Sequence, residues 1–96
     1  MRIWLDDVRP MPNGFDFWAK NYYEMMGLLI SGNVTHISFD HDLGLGMGGY
    51  DVAKYIEGLA YLGMVEITWD VHSANPAGRR NIELAMKSAE RFWKSW

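Results

Sequence analysis

Polar and apolar positions along the chain switch repeatedly between a period of two and a period near 3.6. Residues 2–5 form a short alternating segment that stops at Asp6-Asp7, and the following Arg9-Pro10-Met11-Pro12-Asn13-Gly14 can neither continue a strand nor start a long helix. Residues 15–18 predict a second short strand. Asn21 then stands where it can cap a helix carrying Tyr22, Met25, Met26, Leu29 and Ile30 at helical spacing, with Gly32 as its stop. Residues 34–39, rich in β-branched and aromatic side chains, predict a strand that ends at Asp40-His41-Asp42. A glycine-rich turn over 44–49 leads to a helix over 50–62, with Val52, Ile56, Leu59 and Ala60 inward and Gly63 as its end. A strand over 65–71 runs into His72-Ser73. Asn75 and Pro76 occupy cap and first-turn positions of a last helix, whose apolar stripe is Ile82, Ala85, Met86, Ala89, Phe92, Trp93 and Trp96.

Strands alternating with amphipathic helices across short loops imply right-handed βαβ units and therefore a parallel α/β sheet. All strand C-termini then share one edge, the edge at which open α/β sheets bind ligands, and Asp6, Asp7, Asp40, His41, Asp42, His72 and Ser73 are expected to meet there.

Composition narrows the function. A chain of 96 residues supports one core, so residues 1–96 are read as a single domain, and a core this small makes homodimerisation a natural expectation. The aromatics and seven methionines serve to fill that core. Without cysteine there is neither a disulfide framework nor a thiolate metal site, and a cytoplasmic location is expected. The N-terminus reaches two carboxylates before a signal-peptide apolar stretch could form, and no run approaches membrane-spanning length, so no membrane partner is expected. A net charge of −3 with a pI near 5.5 disfavours general DNA binding, which needs a broad field of Lys and Arg. A small phosphate ligand needs only local positive charge, which Arg9, Arg79 and Arg80 could supply.

Asp is common where strands end, and an acidic pair there can be no more than a solvated turn. Four carboxylates drawn to one edge would nevertheless repel one another unless a cation or basic groups sat among them. Magnesium suits such a site because it takes oxygen ligands and keeps waters for a phosphate to join, with Asp6, Asp7, Asp40 and Asp42 as candidate ligands. His41 and His72 could instead favour manganese or zinc. The same two histidines titrate near neutral pH and are candidates for proton transfer, against the ordinary reading of loop hydrogen bonding. His36, inside a strand, is read as a packed or surface residue, although His36-Ile37-Ser38 matches one H-x-S element of a two-histidine phosphoesterase whose second element is missing.

Residues 44–49 also fit the dinucleotide pattern G-x-G-x-x-G, but a pyrophosphate would have to enter beside Asp40-His41-Asp42 and the second half of a dinucleotide fold is absent. A loop over the site is the better reading. An EF-hand starting at Asp40 fails because Leu45 stands where glycine is required and Asp51 closes the loop in place of Glu. Asn75 to Arg80 opens a helix directly after His72-Ser73, either as an anion-binding N-terminus supported by Asn75, Arg79 and Arg80 or as a simple capped helix with solvated arginines.

Four blocks in order, Leu5-Asp6-Asp7-Val8-Arg9-Pro10, Ser38-Phe39-Asp40-His41-Asp42-Leu43, Gly49-Tyr50-Asp51-Val52-Ala53 and Val71-His72-Ser73-Ala74-Asn75-Pro76, give the chain a resemblance to the cyclic-phosphate processing receiver-like domains. The resemblance spans nearly the whole chain. It implies a truncated, flavodoxin-like three-layer sandwich with about four parallel strands and three main helices. It also implies that Asp6 and Asp7 match the magnesium-holding acidic pair of response-regulator receivers, Asp40 the phosphoacceptor and Ser73 the hydroxyl residue after the next strand. The chain departs from ordinary receivers in lacking an evident fifth strand with its lysine and in adding His41, Asp42 and His72 around the pocket.

The resemblance thus implies a metal-assisted phosphoesterase acting on cyclic phosphates of nucleotides or RNA ends, with catalytic Asp40, His41, His72 and Ser73. Its substrate-binding residues would be Arg9, Asn75, Arg79 and Arg80. The alternative is a non-catalytic module that binds a cyclic nucleotide, a phosphorylated ligand or a protein partner.

Overall fold

A computed structural model describes residues 1–44 and 46–96. Its elements run β1 (Arg2–Leu5), β2 (Phe17–Ala19), α1 (Tyr22–Ser31), β3 (His36–Phe39), α2 (Gly49–Tyr61), β4 (Thr68–Val71) and α3 (Pro76–Lys94). The strands form one sheet in the order β2-β1-β3-β4, every pair parallel. This is the truncated receiver-like α/β fold that the sequence implies. Leu45, within the glycine-rich turn, lies outside the described residues.

Register explains how one sheet serves two purposes. Ile3, Ile37 and Trp69 align across β1, β3 and β4, as do Leu5, Phe39 and Val71, and these rows face the helices. Phe39 and Ile37 are fully buried on the central strand, so Phe39→Ala is expected to cost about 3–5 kcal/mol. The intervening residues Arg2, His36 and Thr68, then Trp4, Ser38 and Asp70, point to the opposite face, because successive strand side chains alternate. There the outer layer is reduced to the connection between β1 and β2, whose Phe15 packs edge-on against Trp4 and beside His36.

The helices begin and end where local chemistry dictates. Asn21 Oδ1 accepts from the Glu24 amide and Gly32 closes α1 in the left-handed region at φ 84°. Asn75 Oδ1 accepts from the Gly78 amide, and Pro76 opens α3. The apolar stripes are narrower than their spacing predicts: Ile30 is 79% exposed and Trp96 76%, whereas Ala53 joins Val52, Ile56 and Ala60 in the core. β4 starts three residues later than position 65 because Val65 sits at φ 56°, which extended backbone cannot include. No helix among the described residues is long and apolar enough to cross a membrane.

Candidate active site at the strand C-termini

β1 turns back to pair with β2 on one side, whereas the chain proceeds from β3 to β4 on the other. The gap between the C-termini of β1 and β3 is therefore the switch point of the sheet, the position at which open α/β sheets take up ligands. Asp6 follows β1, Asp40 follows β3 and His72 follows β4. One carboxylate oxygen from each Asp and one imidazole nitrogen from His72 all lie within 4.8 Å of one another.

Asp6 is the fixed point of this cluster and is buried. Its Oδ1 accepts from the amides of Val8 and Arg9 at 2.8 and 2.7 Å, and its Oδ2 lies 2.9 Å from His72 Nε2. Burial alone would raise its pKa, but the Val8 and Arg9 amides, followed by His72, outweigh burial and hold Asp6 below the ordinary carboxylate range. Asp40 is shifted the other way. Burial and the neighbouring Asp6 charge raise its pKa, and the His41 amide, His72 and the Ser73 hydroxyl offset this only in part.

Each remaining sequence-predicted residue has a defined place. Ser73 is buried, and its Oγ accepts from the Asn75 amide at 3.1 Å. Arg9 donates from Nη1 to the His72 carbonyl at 2.8 Å, tying the loop after β1 to the end of β4. Asn75 uses its side-chain oxygen as the cap of α3. His41 follows Asp40 but turns toward α3: its ring occupies the space that a Cβ on Gly78 would need, and Nε2 lies 4.0 Å from Asp42 Oδ1. Asp42 is exposed, with His41 at the rim of a depression that Met47, Tyr50 and Asp51 also line. Asp7 is exposed and stands outside the three-residue cluster. Arg79 lies 3.8 Å from Glu83 along α3 and Arg80 is exposed; among the described residues neither forms an ion pair with Asp6 or Asp40.

Three contributors have no role assigned by the sequence motifs, although Ser38 stands within two of them. Trp4 stacks on the His72 ring with centroids 3.8 Å apart and planes 7° from parallel, while its Nε1 donates to the Arg9 carbonyl. Ser38 Oγ lies 2.8 Å from His72 Nδ1. Trp18 Nε1 donates to the Asp6 carbonyl at 2.7 Å. The signal that could have found Trp4 and Ser38 is strand alternation, since each stands two residues before a site aspartate.

The donor set fits a divalent cation that prefers oxygen. Asp6 and Asp40 offer adjacent carboxylates, and a cation between them would relieve the repulsion that raises Asp40. His72 Nε2 is already hydrogen-bonded to Asp6, so an ion that demands nitrogen would have to displace that bond.

A parallel sheet in this order, with an acidic cluster at its switch point, defines a receiver-type domain. The family model of the cyclic-phosphate processing receiver domain matches residues 1–88, and the chain belongs to that family. Comparison with curated proteins and with solved structures found no match.

Proposed function

We propose that this domain is a metal-assisted phosphoesterase acting on cyclic phosphates of nucleotides or RNA ends. The observation that carries this reading is the convergence of Asp6, Asp40 and His72 at the switch point of the sheet. Two carboxylates alone would make a cation site; an imidazole among them adds a group that moves protons near neutral pH.

A divalent cation held by Asp6 and Asp40, most simply magnesium with manganese or zinc as alternatives, would polarise a phosphoryl oxygen of the bound substrate. This chain's own residues do the rest. Attack of water on phosphorus forms one P–O bond as the bond to a ribose oxygen breaks. The water proton passes to a carboxylate oxygen of Asp40, and His72, in its protonated form, gives its Nε2 proton to the departing ribose oxygen while keeping the Nδ1 proton toward Ser38. Arg9, anchored at the same edge, retains guanidinium donors for a phosphate oxygen.

The test is incubation of the purified protein with 2′,3′-cyclic and 3′,5′-cyclic nucleotides and with RNA bearing 2′,3′-cyclic ends, with and without added metal. Metal-dependent ring opening supports the reading. Tight binding without turnover would replace it with a binding module, and neither would leave a domain that docks on another protein.

A further inference from the structure

Apart from its bond to Asp6, the His72 ring is framed by two residues that carry no charge. Its ring lies flat against the Trp4 indole, 3.8 Å between centroids, and its Nδ1 meets the buried Ser38 hydroxyl at 2.8 Å. Stacking fixes the plane of the ring, and the hydrogen bond fixes its rotation within that plane. Together they leave one orientation, in which Nε2 faces Asp6 Oδ2 at 2.9 Å.

We infer that Ser38 and Trp4 are positioning residues that hold His72 in a single orientation and tautomer, with Nε2 carrying the proton toward the carboxylate cluster. The tautomer follows from the partners. Asp6 Oδ1 accepts from two backbone amides and Oδ2 faces the ring, so the carboxylate acts as acceptor and Nε2 must donate. In the neutral ring Nδ1 is then the acceptor, and Ser38, a hydroxyl, can donate to it. An alanine at 38 would leave Nδ1 without that donor, and the other tautomer would bring two acceptors together at Asp6.

This inference rests on the phosphoesterase reading for its catalytic consequence but not for its geometry, so the test has one arm for each. In the first, ring-15N-labelled histidine in the wild-type protein should give His72 signals of one tautomer, with Nε2 protonated, and Ser38→Ala should shift Nδ1 toward the value of a nitrogen lacking a hydrogen bond while Ser38→Thr restores it. An Nδ1-protonated or averaged His72 in the wild type, or an Nδ1 signal unmoved by Ser38→Ala, overturns the inference. In the second, Ser38→Ala and Trp4→Leu should lower kcat by about 10-fold or more with little change in KM, since ring placement matters mainly in the transition state, and Ser38→Thr should recover most of it. Full kcat in Ser38→Ala also overturns the inference. A Ser38-dependent tautomer in a protein that turns over no cyclic phosphate supports the positioning and refutes the phosphoesterase instead.

Discussion

The carboxylates of Asp6 and Asp40 stand side by side at one sheet edge and are driven in opposite directions, Asp6 below the ordinary range and Asp40 above it. Asp6 is surrounded by donors, whereas Asp40 receives the repulsion of Asp6 along with burial of its own. This asymmetry gives the metal-free protein a particular pH response. The folded state holds the Asp40 proton more tightly than the unfolded chain, so Asp40's contribution to stability is present below its ordinary value of 3.8 and is lost as pH rises through its elevated folded value. Asp6 does the reverse: its contribution is present above 3.8 and is lost as pH falls through its depressed folded value. In urea unfolding with a chelator present, raising the pH above about 4 should cost the wild type stability relative to Asp40→Asn, while His36 and Glu57, whose pKa values lie below their ordinary ones, gain stability over that range in both proteins. An unchanged slope in the variant would contradict the assignment.

Metal binding should act on the same pair. A cation that binds only the folded chain stabilises it by about 2.7 kcal/mol when present at 100 times its dissociation constant. Thermal melts are expected to rise with millimolar magnesium or manganese in the wild type. The Asp40→Asn protein should start from a higher melting temperature without metal, because a repulsion is gone, and should respond little to metal. An equal rise in both proteins would place the ion elsewhere.

The two histidines should separate. His72→Gln removes the imidazole of the cluster and is expected to cut turnover by about 10²–10⁴-fold with a much smaller change in substrate affinity. His41→Gln should cost less, since the His41 ring faces Gly78 and Asp42 rather than Asp6. Steady-state kinetics of the single and double variants on the same cyclic phosphate would decide this, and full turnover in the double variant would end histidine catalysis.

Two glycines set how closely α2 and α3 approach the site. A Cβ at Gly49 would collide with the Asp40 carbonyl, which is backbone and cannot step aside, so Gly49→Ala should destabilise by about 1–3 kcal/mol or more and blunt the metal response. The three heavy atoms that a Cβ at Gly78 would approach most closely all belong to the His41 ring. Gly78→Ala should therefore be costly in the wild type and much less so in a His41→Ala background. Denaturant titrations of the four proteins give the coupling, and simple additivity would show that His41 is not the obstacle.

Much of this was legible in the chain because each strand ends in its own polar punctuation. Asp6, Asp40 and His72 could be assigned to one edge once the strands were parallel, and the caps at Asn21 and Asn75 follow from their side chains alone. The strand alternation that places Trp4 and Ser38 beside His72 was equally present, but alternation does not say which face a helix covers and which is left to a loop. Nor does it reveal that Asp7 and Asp42, chemically the equals of Asp6 and Asp40, stay in solvent. Neighbouring positions on a turn point in different directions, and that depends on backbone angles rather than residue type. Arg79 and Arg80 illustrate the same limit, since a helix start fixes where they emerge but not whether Glu83 draws Arg79 along the helix.

The bond between Asp6 and His72 spans 66 positions of sequence. Contacts of such separation require the chain to close a long loop before they return any stabilisation, and parallel pairing adds further non-local contacts, with strand partners 14 positions apart between β1 and β2, 34 between β1 and β3 and 32 between β3 and β4. The consequence is kinetic. A nascent or partly unfolded chain in which β4 has not docked lacks His72 at the edge altogether, so the cluster exists only in molecules whose last strand is in place. Hydrogen-exchange protection of the His72 amide, which donates to the Phe39 carbonyl at 2.9 Å, would therefore follow the fraction of competent molecules more closely than any probe in α1.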